Sequence, residues 1–299
     1  MGIEIKGELC TGCELCVRIC PPRSLAMIDG KASVKEDCFL NCGHCEAICP
    51  EGAVTVNALD KDALKLSTVK GGNEWLDYGN FDTEALVQLM RSRRSCRIFL
   101  EEAVDRDVLE DLVRIGITAP SGSNAQRWTF TILDNRSAVI ELAGGVARFM
   151  RRLNEKAERR SLRFLSKIFM KDMLGKYYRE YYTKVKESLD EWEENGTDRL
   201  FFGAPAVIVV GMKPGASCPC EDALLASQNI LLAAHAMGLG TCLIGFAVEA
   251  IKHDPRIKEI IGIPEEERVY AVIAIGVPGE KFARQAGRKR PVIRYAKGA

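Results

Sequence analysis

The spacing of hydrophobic residues changes along the chain between a helical period and short continuous runs. Asp82 to Arg91 and Asp105 to Gly116 have apolar residues three and four apart behind an acidic residue that can cap a helix, which predicts two amphipathic helices. Asp222 to Met237 is mostly apolar at helix length. Continuous apolar runs predict four strands, at Trp128 to Leu133, Ala206 to Met212, Thr241 to Phe246 and Val269 to Val277. This alternation predicts a sheet sandwiched by helices, in an α+β or α/β domain.

The first 60 residues carry a repeated cysteine pattern. Eight of the twelve cysteines have the spacings C-x2-C-x2-C-x3-C, followed by Pro21, and C-x3-C-x2-C-x3-C, followed by Pro50. A shift of 29 residues places three cysteines of the first set on three of the second, and only the leading cysteine of the second set is one place short. We interpret the segment as an internal duplication. Its cysteines are Cys10, Cys13, Cys16, Cys20, Cys38, Cys42, Cys45 and Cys49.

This spacing predicts two 4Fe-4S clusters. Three cysteines separated by two residues bind three corners of one cluster, and the cysteine before the proline binds the other cluster. We therefore expect one cluster on Cys10, Cys13, Cys16 and Cys49, and the other on Cys38, Cys42, Cys45 and Cys20. Two zinc sites are the alternative, although zinc ligands usually form two separated C-x2-C pairs. The segment resembles bacterial two-cluster ferredoxins through the residues Cys49-Pro50-Glu51-Gly52-Ala53-Val54, and departs from them in the extra residue between Cys38 and Cys42.

Composition and charge narrow the class of protein. The start of the chain lacks the basic and apolar pattern of a secretory signal, so we expect a cytoplasmic protein with reduced cysteines rather than a disulfide framework. The best candidate for a transmembrane segment, Ala204 to Met212, is strand-sized and too short to span a membrane. The net charge of +1 argues against nucleic-acid binding. Residues 1–60 hold 5 basic and 9 acidic residues, a net charge of −4. The remaining residues therefore carry a net charge of +5, so the total of +1 conceals an acidic first part and a basic remainder.

The chain divides into two domains. Residues 1–60 form the predicted two-cluster domain, residues 61–80 include Gly71 and Gly72 and lack periodicity, as expected of a linker, and residues 81–299 form the second domain. Within the second domain, residues 151–200 resemble a helical insertion. Residues 151–171 carry 8 basic and 2 acidic residues, a net charge of +6. We hypothesise that this segment covers a pocket and meets the acidic first domain; a solvated helical hairpin and a membrane-surface helix are the alternatives.

The second domain carries four motifs in order. They are Arg93-Arg94-Ser95-Cys96-Arg97-Ile98-Phe99, residues 119–128, residues 221–245, and Ala274-Ile275-Gly276-Val277-Pro278 with Arg288-Lys289-Arg290-Pro291. Together they resemble the nitroreductase family of FMN enzymes. The resemblance implies an α+β sandwich with a central, mostly antiparallel sheet, assembled as a homodimer with FMN at the subunit interface.

The resemblance also implies which residues bind FMN. Arginine suits the phosphate because its planar guanidinium donates two parallel hydrogen bonds. The loop at Pro120 is expected to reach a flavin bound mainly by the other subunit, and a backbone N–H near Ile244 is expected to face the flavin N5 atom. The implied FMN contacts are Arg93, Arg94, Ser95, Arg97, Pro120, Ser121, Gly122, Asn124, Cys242, Leu243, Ile244, Gly245, Arg288 and Arg290.

The sequence as a whole predicts a flavin-dependent oxidoreductase that passes electrons between two 4Fe-4S clusters and FMN to reduce a small organic acceptor of the nitro, quinone, enone or flavin type. External ferredoxin and NAD(P)H are the candidate donors. Two alternatives stay open, namely an electron-transfer module that serves a protein partner and a protein that binds or consumes flavin. No acid–base catalyst is assigned. We expect His235 to be a core residue, Cys242 to be a buried thiol, and Cys218 and Cys220 to lack a metal.

Overall fold

The N-terminal module, residues 2–60, consists of two small two-stranded sheets and two short helices. A computed structural model describes residues 2–72 and 74–296 of the chain. Strand β1 pairs with β4 and strand β2 pairs with β3, both antiparallel. The elements are β1 (Ile3–Ile5), α1 (Leu15–Ile19), β2 (Leu25–Ile28), β3 (Lys31–Val34), α2 (His44–Ala47) and β4 (Val54–Val56).

The duplication extends from the cysteine spacing to the backbone. Shifting the first repeat by the same 29 residues places β1 on β3, α1 on α2 and β2 on β4. Residues with a left-handed backbone also repeat at this interval, and few residues other than glycine favour that conformation. The three pairs are Gly12 (φ 76°) with Asn41 (φ 42°), Glu14 (φ 65°) with Gly43 (φ 75°), and Arg23 (φ 58°) with Gly52 (φ 59°).

The segment between the domains has no helix or strand among its described residues 61–72 and 74–80. It is nevertheless attached to the second domain at one point. The fully buried carboxylate of Asp111 accepts hydrogen bonds from the backbone N–H of Ser67 (2.9 Å) and from the N–H and hydroxyl of Thr68 (2.6 and 2.7 Å). The linker therefore holds a fixed position against the helix Arg106–Gly116, which contains Asp111.

A four-stranded antiparallel sheet forms the centre of the second domain. The strand order is β5-β6-β8-β7, with β5 and β7 at the two edges. Both central strands are largely buried, and alternate residues of β6 face opposite layers: Val207 and Val209 face one, Ile208 and Val210 the other. The strands are β5 (Trp128–Leu133), β6 (Ala206–Met212), β7 (Gly240–Leu243) and β8 (Arg268–Gly276).

Helices cover both faces of this sheet. Helices α4 and α9 pack on one face, where α3 lies against α9, while α5, α10 and α11 lie on the other. Helices α6 to α8 follow α5 and pack against it and one another. The helices are α3 (Thr83–Ser92), α4 (Arg106–Gly116), α5 (Arg136–Glu158), α6 (Arg160–Phe169), α7 (Met173–Glu180), α8 (Tyr182–Asn195), α9 (Pro219–Ala236), α10 (Gly245–His253) and α11 (Pro255–Ile260), with a 3-10 turn at Gly122–Asn124.

Most predicted elements are confirmed. The predicted caps Asp82 and Asp105 accept backbone N–H groups in the first turns of α3 and α4. The predicted strand Thr241 to Phe246 is wrong at its end, because β7 stops at Leu243 and α10 begins at Gly245, so Phe246 is helical. Residues 151–158 do not open a separate hairpin but continue α5. Within residues 2–72 and 74–296, no helix is both long and apolar enough to cross a membrane.

Candidate cofactor sites

The buried thiols of the N-terminal module have neighbours from both repeats. Burial raises the pKa of Cys16, and the thiols of Cys10 and Cys49 raise it further. Burial likewise raises the pKa of Cys45 to about 11, and Cys20 and Cys42 add to the effect. Cys49 thus lies near the first set and Cys20 near the second. Cys13 is exposed and Cys38 is buried.

Backbone N–H groups point at the sulfurs. Ala32 donates to Cys10 Sγ (3.5 Å) and Ala53 donates to Cys49 Sγ (3.3 Å). The Ala32 and Gly12 amides lower the pKa of Cys10, because a donor favours the thiolate form. No group of three or more His, Cys, Asp or Glu side chains suited to a single metal ion occurs among the described residues. A cubane cluster needs a wider arrangement of ligands than a single metal ion, since its four thiolates bind four separate iron atoms.

A group of cations lies beside the edge strand β7. The Arg93 guanidinium is half-buried, and burial followed by the charges of Arg94 and Arg288 lowers its pKa. Arg97 and Ser95 lie close to Cys242. Burial raises the pKa of the Cys242 thiol, and both of these residues act to lower it. In the part of the chain that the structure describes, no carboxylate oxygen lies within 4.0 Å of the side-chain nitrogens of these arginines. Mutually repelling cations without a paired acid favour an anionic ligand.

Backbone pairing holds this arginine stretch in place. Ser95 forms a parallel bridge with Thr241, and the N–H of Cys96 donates to the Thr241 carbonyl at 2.9 Å. Gly240 allows this approach, because a Cβ atom there would lie only 2.8 Å from Cys96 Sγ. The backbone at Ser95 and Cys96 is therefore held along β7, and the side chains of Arg93 and Arg97 lie beside that strand.

Glu280 is a residue of this site that the motifs do not include. Its Oε1 accepts the backbone N–H of Arg97 at 3.2 Å, and its buried Oε2 has no hydrogen-bond partner among the described residues. Burial raises the pKa of Cys96 to about 11, and Glu280 contributes to this increase. Only the chain reversal after Pro278, which brings Gly279 N–H to the Ile98 carbonyl (2.7 Å), places Glu280 here. The spacing of residues in the sequence does not predict that Glu280 lies next to Arg97.

The second group of predicted FMN contacts, Pro120, Ser121, Gly122 and Asn124, lies in a strained loop before β5, residues 120–126. Ser123, Asn124 and Gln126 all have left-handed backbone conformations, with φ of 53°, 51° and 47°. Gly122 N–H donates to Asp222 Oδ1 at 2.8 Å, while the buried Oδ2 of Asp222 has no partner among the described residues. Strain of this kind costs free energy and is typical of functional loops.

The same loop contacts the N-terminal module. The Asn124 side-chain amide donates from Nδ2 to the carbonyls of Leu40 (3.2 Å) and Asn41 (2.9 Å), which directly precede Cys42. Its Oδ1 accepts from Gln126 Nε2 at 3.0 Å. Both ends of the Asn124 amide therefore have partners within the chain, and the residue joins the two domains; its contact with FMN stays a prediction.

The third predicted stretch, Cys242 to Gly245, lies where β7 gives way to α10. Cys242 and Ile244 are buried, while Leu243 is exposed. The N–H of Ile244 already donates to the Val272 carbonyl at 2.8 Å, so it is not free to donate to a flavin. The Tyr181 ring, between α7 and α8, packs edge-on against Phe246 with centroids 6.0 Å apart. The segment 151–200 thus lies beside this stretch.

The two halves of the predicted FMN site are far apart within one chain. Ser95 bridges Thr241 on edge strand β7, whereas the 120–126 loop enters edge strand β5. The two edges are three strand spacings apart, about 14 Å. The loop joins β5 at Trp128, which pairs with Met212 at one end of β6; Leu243 is level with Ile208, four residues away, or about 13 Å along the sheet. One chain does not bring these residues together.

Several other predicted residues stay outside these groups. Arg290 lies in the exposed C-terminal tail, with no hydrogen bond or ion pair to the described residues. Cys218 and Cys220 are exposed at the start of α9, and His235 is half-buried rather than part of the core. The prediction of a buried Cys242 is confirmed.

Comparison with known proteins agrees with the second domain. The sequence model of the Nitroreductase family matches residues 90–277, more than half of the chain. The chain is 27% identical over 214 residues to an iodotyrosine deiodinase of Thermotoga neapolitana, covering 70% of this chain and 97% of that protein. It is 25% identical over 247 residues to a 4-nitrobenzoate reductase of Nocardioides sp., covering 71% and 89%.

Solved structures share the fold. A nitroreductase with bound FMN from Bacteroides fragilis superposes with a TM-score of 0.52 at 20% identity, covering 71% of this chain and 98% of that one. A nitroreductase with bound FMN from Desulfitobacterium hafniense gives a TM-score of 0.51 at 21% identity, covering 70% and 97%. With the family match over residues 90–277, the α+β sandwich and its motifs show that this chain belongs to the nitroreductase family.

Proposed function

We propose that this chain is an FMN-dependent oxidoreductase of the nitroreductase type, whose N-terminal module holds two 4Fe-4S clusters and exchanges electrons with the flavin. The observation that carries the proposal is the contact between Asn124 and the Leu40–Asn41 backbone. It joins the loop before Cys42, a predicted cluster ligand, to a loop that matches an FMN-binding motif. Electron exchange between the two cofactors requires such proximity.

The arginine stretch fits the phosphate of FMN. Arg93, Arg97 and Arg288 supply positive charge without a paired carboxylate, and Ser95 adds a hydroxyl donor. Burial is the main cause of the lowered pKa of Arg93, followed by the charges of Arg94 and Arg288, and a dianionic phosphate would compensate for both effects. The exposed Leu243 and the turn into α10 lie next to these residues and would support the ring.

The N-terminal module fits two clusters by the chemistry of its donors. All eight candidate ligands are thiols, and the buried Cys16 and Cys45 each have thiol neighbours from the other repeat. Clustered thiolates repel one another unless a cation lies among them, and the amides on Cys10 and Cys49 would stabilise sulfur that carries charge. Bound there, clusters exchange single electrons, whereas a bound flavin can exchange one or two.

The proposed enzyme is a homodimer with its flavin at the subunit interface. The support is the distance between β5 and β7, since the 120–126 loop and the arginine stretch complete one site only if they come from different chains. Apolar surface is available for association on the α3 and α9 side of the sheet. Its exposed residues include Leu86, Met90, Leu224 and Leu225.

The proposed substrate is a small, electron-poor aromatic acceptor. One relative is named a 4-nitrobenzoate reductase and another an iodotyrosine deiodinase, and both names refer to a substituted benzene ring. Tyr181 with Phe246 gives an apolar wall beside the proposed ring site. Reduced ferredoxin and NAD(P)H are the proposed donors, and the cytoplasm the proposed location.

Anaerobic purification with iron and flavin quantitation tests this function. We expect about eight iron atoms and one FMN per chain, together with reduction of a nitroaromatic acid by the reduced protein. Zinc in place of iron would overturn the cluster proposal. Rapid reduction without turnover of any small acceptor would instead support an electron carrier.

A further inference from the structure

We propose that electrons cross the dimer: the N-terminal module of one protomer reduces the flavin held by the arginines of its partner. This inference rests on the proposed function and adds a direction to it. In each step the module loses one electron and the partner-bound flavin gains one. Two steps with two protons from solvent reduce one flavin fully, and an external one-electron donor resupplies the module.

The first support is the position of the module on its own chain. Asn124 fixes the Leu40–Asn41 loop to the 120–126 loop, and Asp111 fixes the linker through Ser67 and Thr68. Both attachments lie within one chain. The loop before Cys42 is therefore held at the β5 edge of the sheet, where the 120–126 loop begins that strand.

The second support is the position of the flavin residues on the same chain. Ser95 and its neighbouring arginines lie along β7, at the opposite edge of the sheet, about 14 Å across from β5. Ser95 is level with Ala206, six residues or about 20 Å along the sheet from Met212, where β5 starts. The four-stranded sheet with its helical layers fills the space between the two positions. In a dimer that completes the site, the 120–126 loop meets the partner's flavin and brings its own module with it.

Heterodimers with two different affinity tags test this path. The flavin-site variant is Arg93→Ala with Arg97→Ala, and the module variant is Cys42→Ser with Cys45→Ser. In the separated heterodimer, the two variants are on different chains; in the combined heterodimer, one chain carries both and the other is wild type. Each heterodimer then holds one FMN and one damaged module, so the two have the same composition.

The readout is the rate of FMN absorbance loss after anaerobic mixing with reduced ferredoxin, with FMN content measured separately. If electrons cross the dimer, the separated heterodimer should reduce its flavin at the wild-type rate. The combined heterodimer should show only the background rate, which is the rate of the homodimer of the module variant. The opposite order would overturn the inference, and so would equal rates. Absence of iron or FMN from the wild-type protein would instead contradict the proposed function.

A second pair of heterodimers avoids damage to the cysteine sites. Asn124→Ala is placed either on the chain with the flavin-site variant or on its wild-type partner. We expect slower flavin reduction only in the first case, because that chain's module serves the single flavin present. Slowing only in the second case would show that the path stays within one chain and would overturn the inference.

Discussion

Asn124 Nδ2 donates to the Asn41 carbonyl oxygen at 2.9 Å, one residue before Cys42. This hydrogen bond joins two stretches that are 83 residues apart in the sequence. Asn41 and Asn124 both have left-handed backbones, with φ of 42° and 51°, so the contact is made between two unusual turns. A left-handed backbone costs free energy at a residue with a side chain, so both turns depend on the contacts around them.

Removal of the Asn124 amide should loosen the module without affecting flavin binding. Asn124→Ala deletes two hydrogen bonds to the Leu40 and Asn41 carbonyls, worth about 1–3 kcal/mol together. We expect faster amide exchange in residues 38–42 and slower flavin reduction, with unchanged FMN content. Asn229→Ala, which removes a half-buried amide on α9 that donates to Thr118 Oγ1 at 3.0 Å, is the matched control. Unchanged exchange would show that the contact does not hold the module.

The arginine stretch should bind the phosphate of FMN rather than its ring. Charge-assisted hydrogen bonds contribute about 1.5–3 kcal/mol each, so Arg93→Ala with Arg97→Ala should raise the Kd for FMN by roughly 100-fold or more. Riboflavin lacks the phosphate, and its affinity should be unchanged in a fluorescence titration. Arg148→Ala, at an exposed position on α5, is the control. An equal loss for both ligands would contradict the assignment.

The linker attachment should stabilise the protein above acidic pH. Hydrogen bonds from Thr68, Ser67 and Arg114 hold the pKa of Asp111 below its usual value despite burial, which raises it. A lowered pKa stabilises the fold above the unfolded value near 3.8, and this stabilisation is lost as the pH falls through the folded value.

Asp111→Asn should therefore lower the free energy of unfolding by roughly 2 kcal/mol at pH 7. The difference from wild type should shrink below about pH 4, as measured by urea denaturation. Asp107→Asn, an exposed change on the same helix, should have little effect at either pH. A difference that persists unchanged at low pH would contradict the role of the Asp111 charge.

The four cysteines outside the module should differ strongly in reactivity. The buried Cys96 has a pKa raised to about 11, which leaves about one thiol in a thousand as thiolate at pH 8. Burial also raises the pKa of Cys242, whereas Cys218 and Cys220 are exposed. Iodoacetamide followed by mass spectrometry should label Cys218 and Cys220 first. Labelling of Cys96 at the same rate would show that the arginine stretch does not stay packed on β7.

Local patterns predicted the elements well. The caps Asp82 and Asp105 mark the helix starts because a short acidic side chain reaches the free N–H groups of the first turn. The 29-residue repeat of cysteines indicated a duplication, and the left-handed residues of the backbone repeat at the same interval. The end of β7 was less predictable, since an apolar run continues through Leu243 and Phe246 while the backbone changes from strand to helix.

The contacts that define the sites depend on tertiary structure. Glu280 reaches Arg97 across 183 residues and Asp111 reaches Thr68 across 43, and no local spacing encodes either approach. The stretch from Leu243 to Gly245 shows what a motif leaves open, because the Ile244 N–H donates to the Val272 carbonyl and the motif does not say which N–H nearby would face a flavin. The motif predicts which stretch lies at the site, while the structure decides which atom is free.

A reductive titration of the anaerobic protein tests the central claim most directly. Two clusters that each take one electron and a flavin that takes two predict about four electrons per chain, followed by loss of both the flavin and the iron–sulfur absorbance. Uptake of only two electrons per chain, with flavin absorbance alone changing, would contradict the proposal that the N-terminal module supplies electrons to FMN.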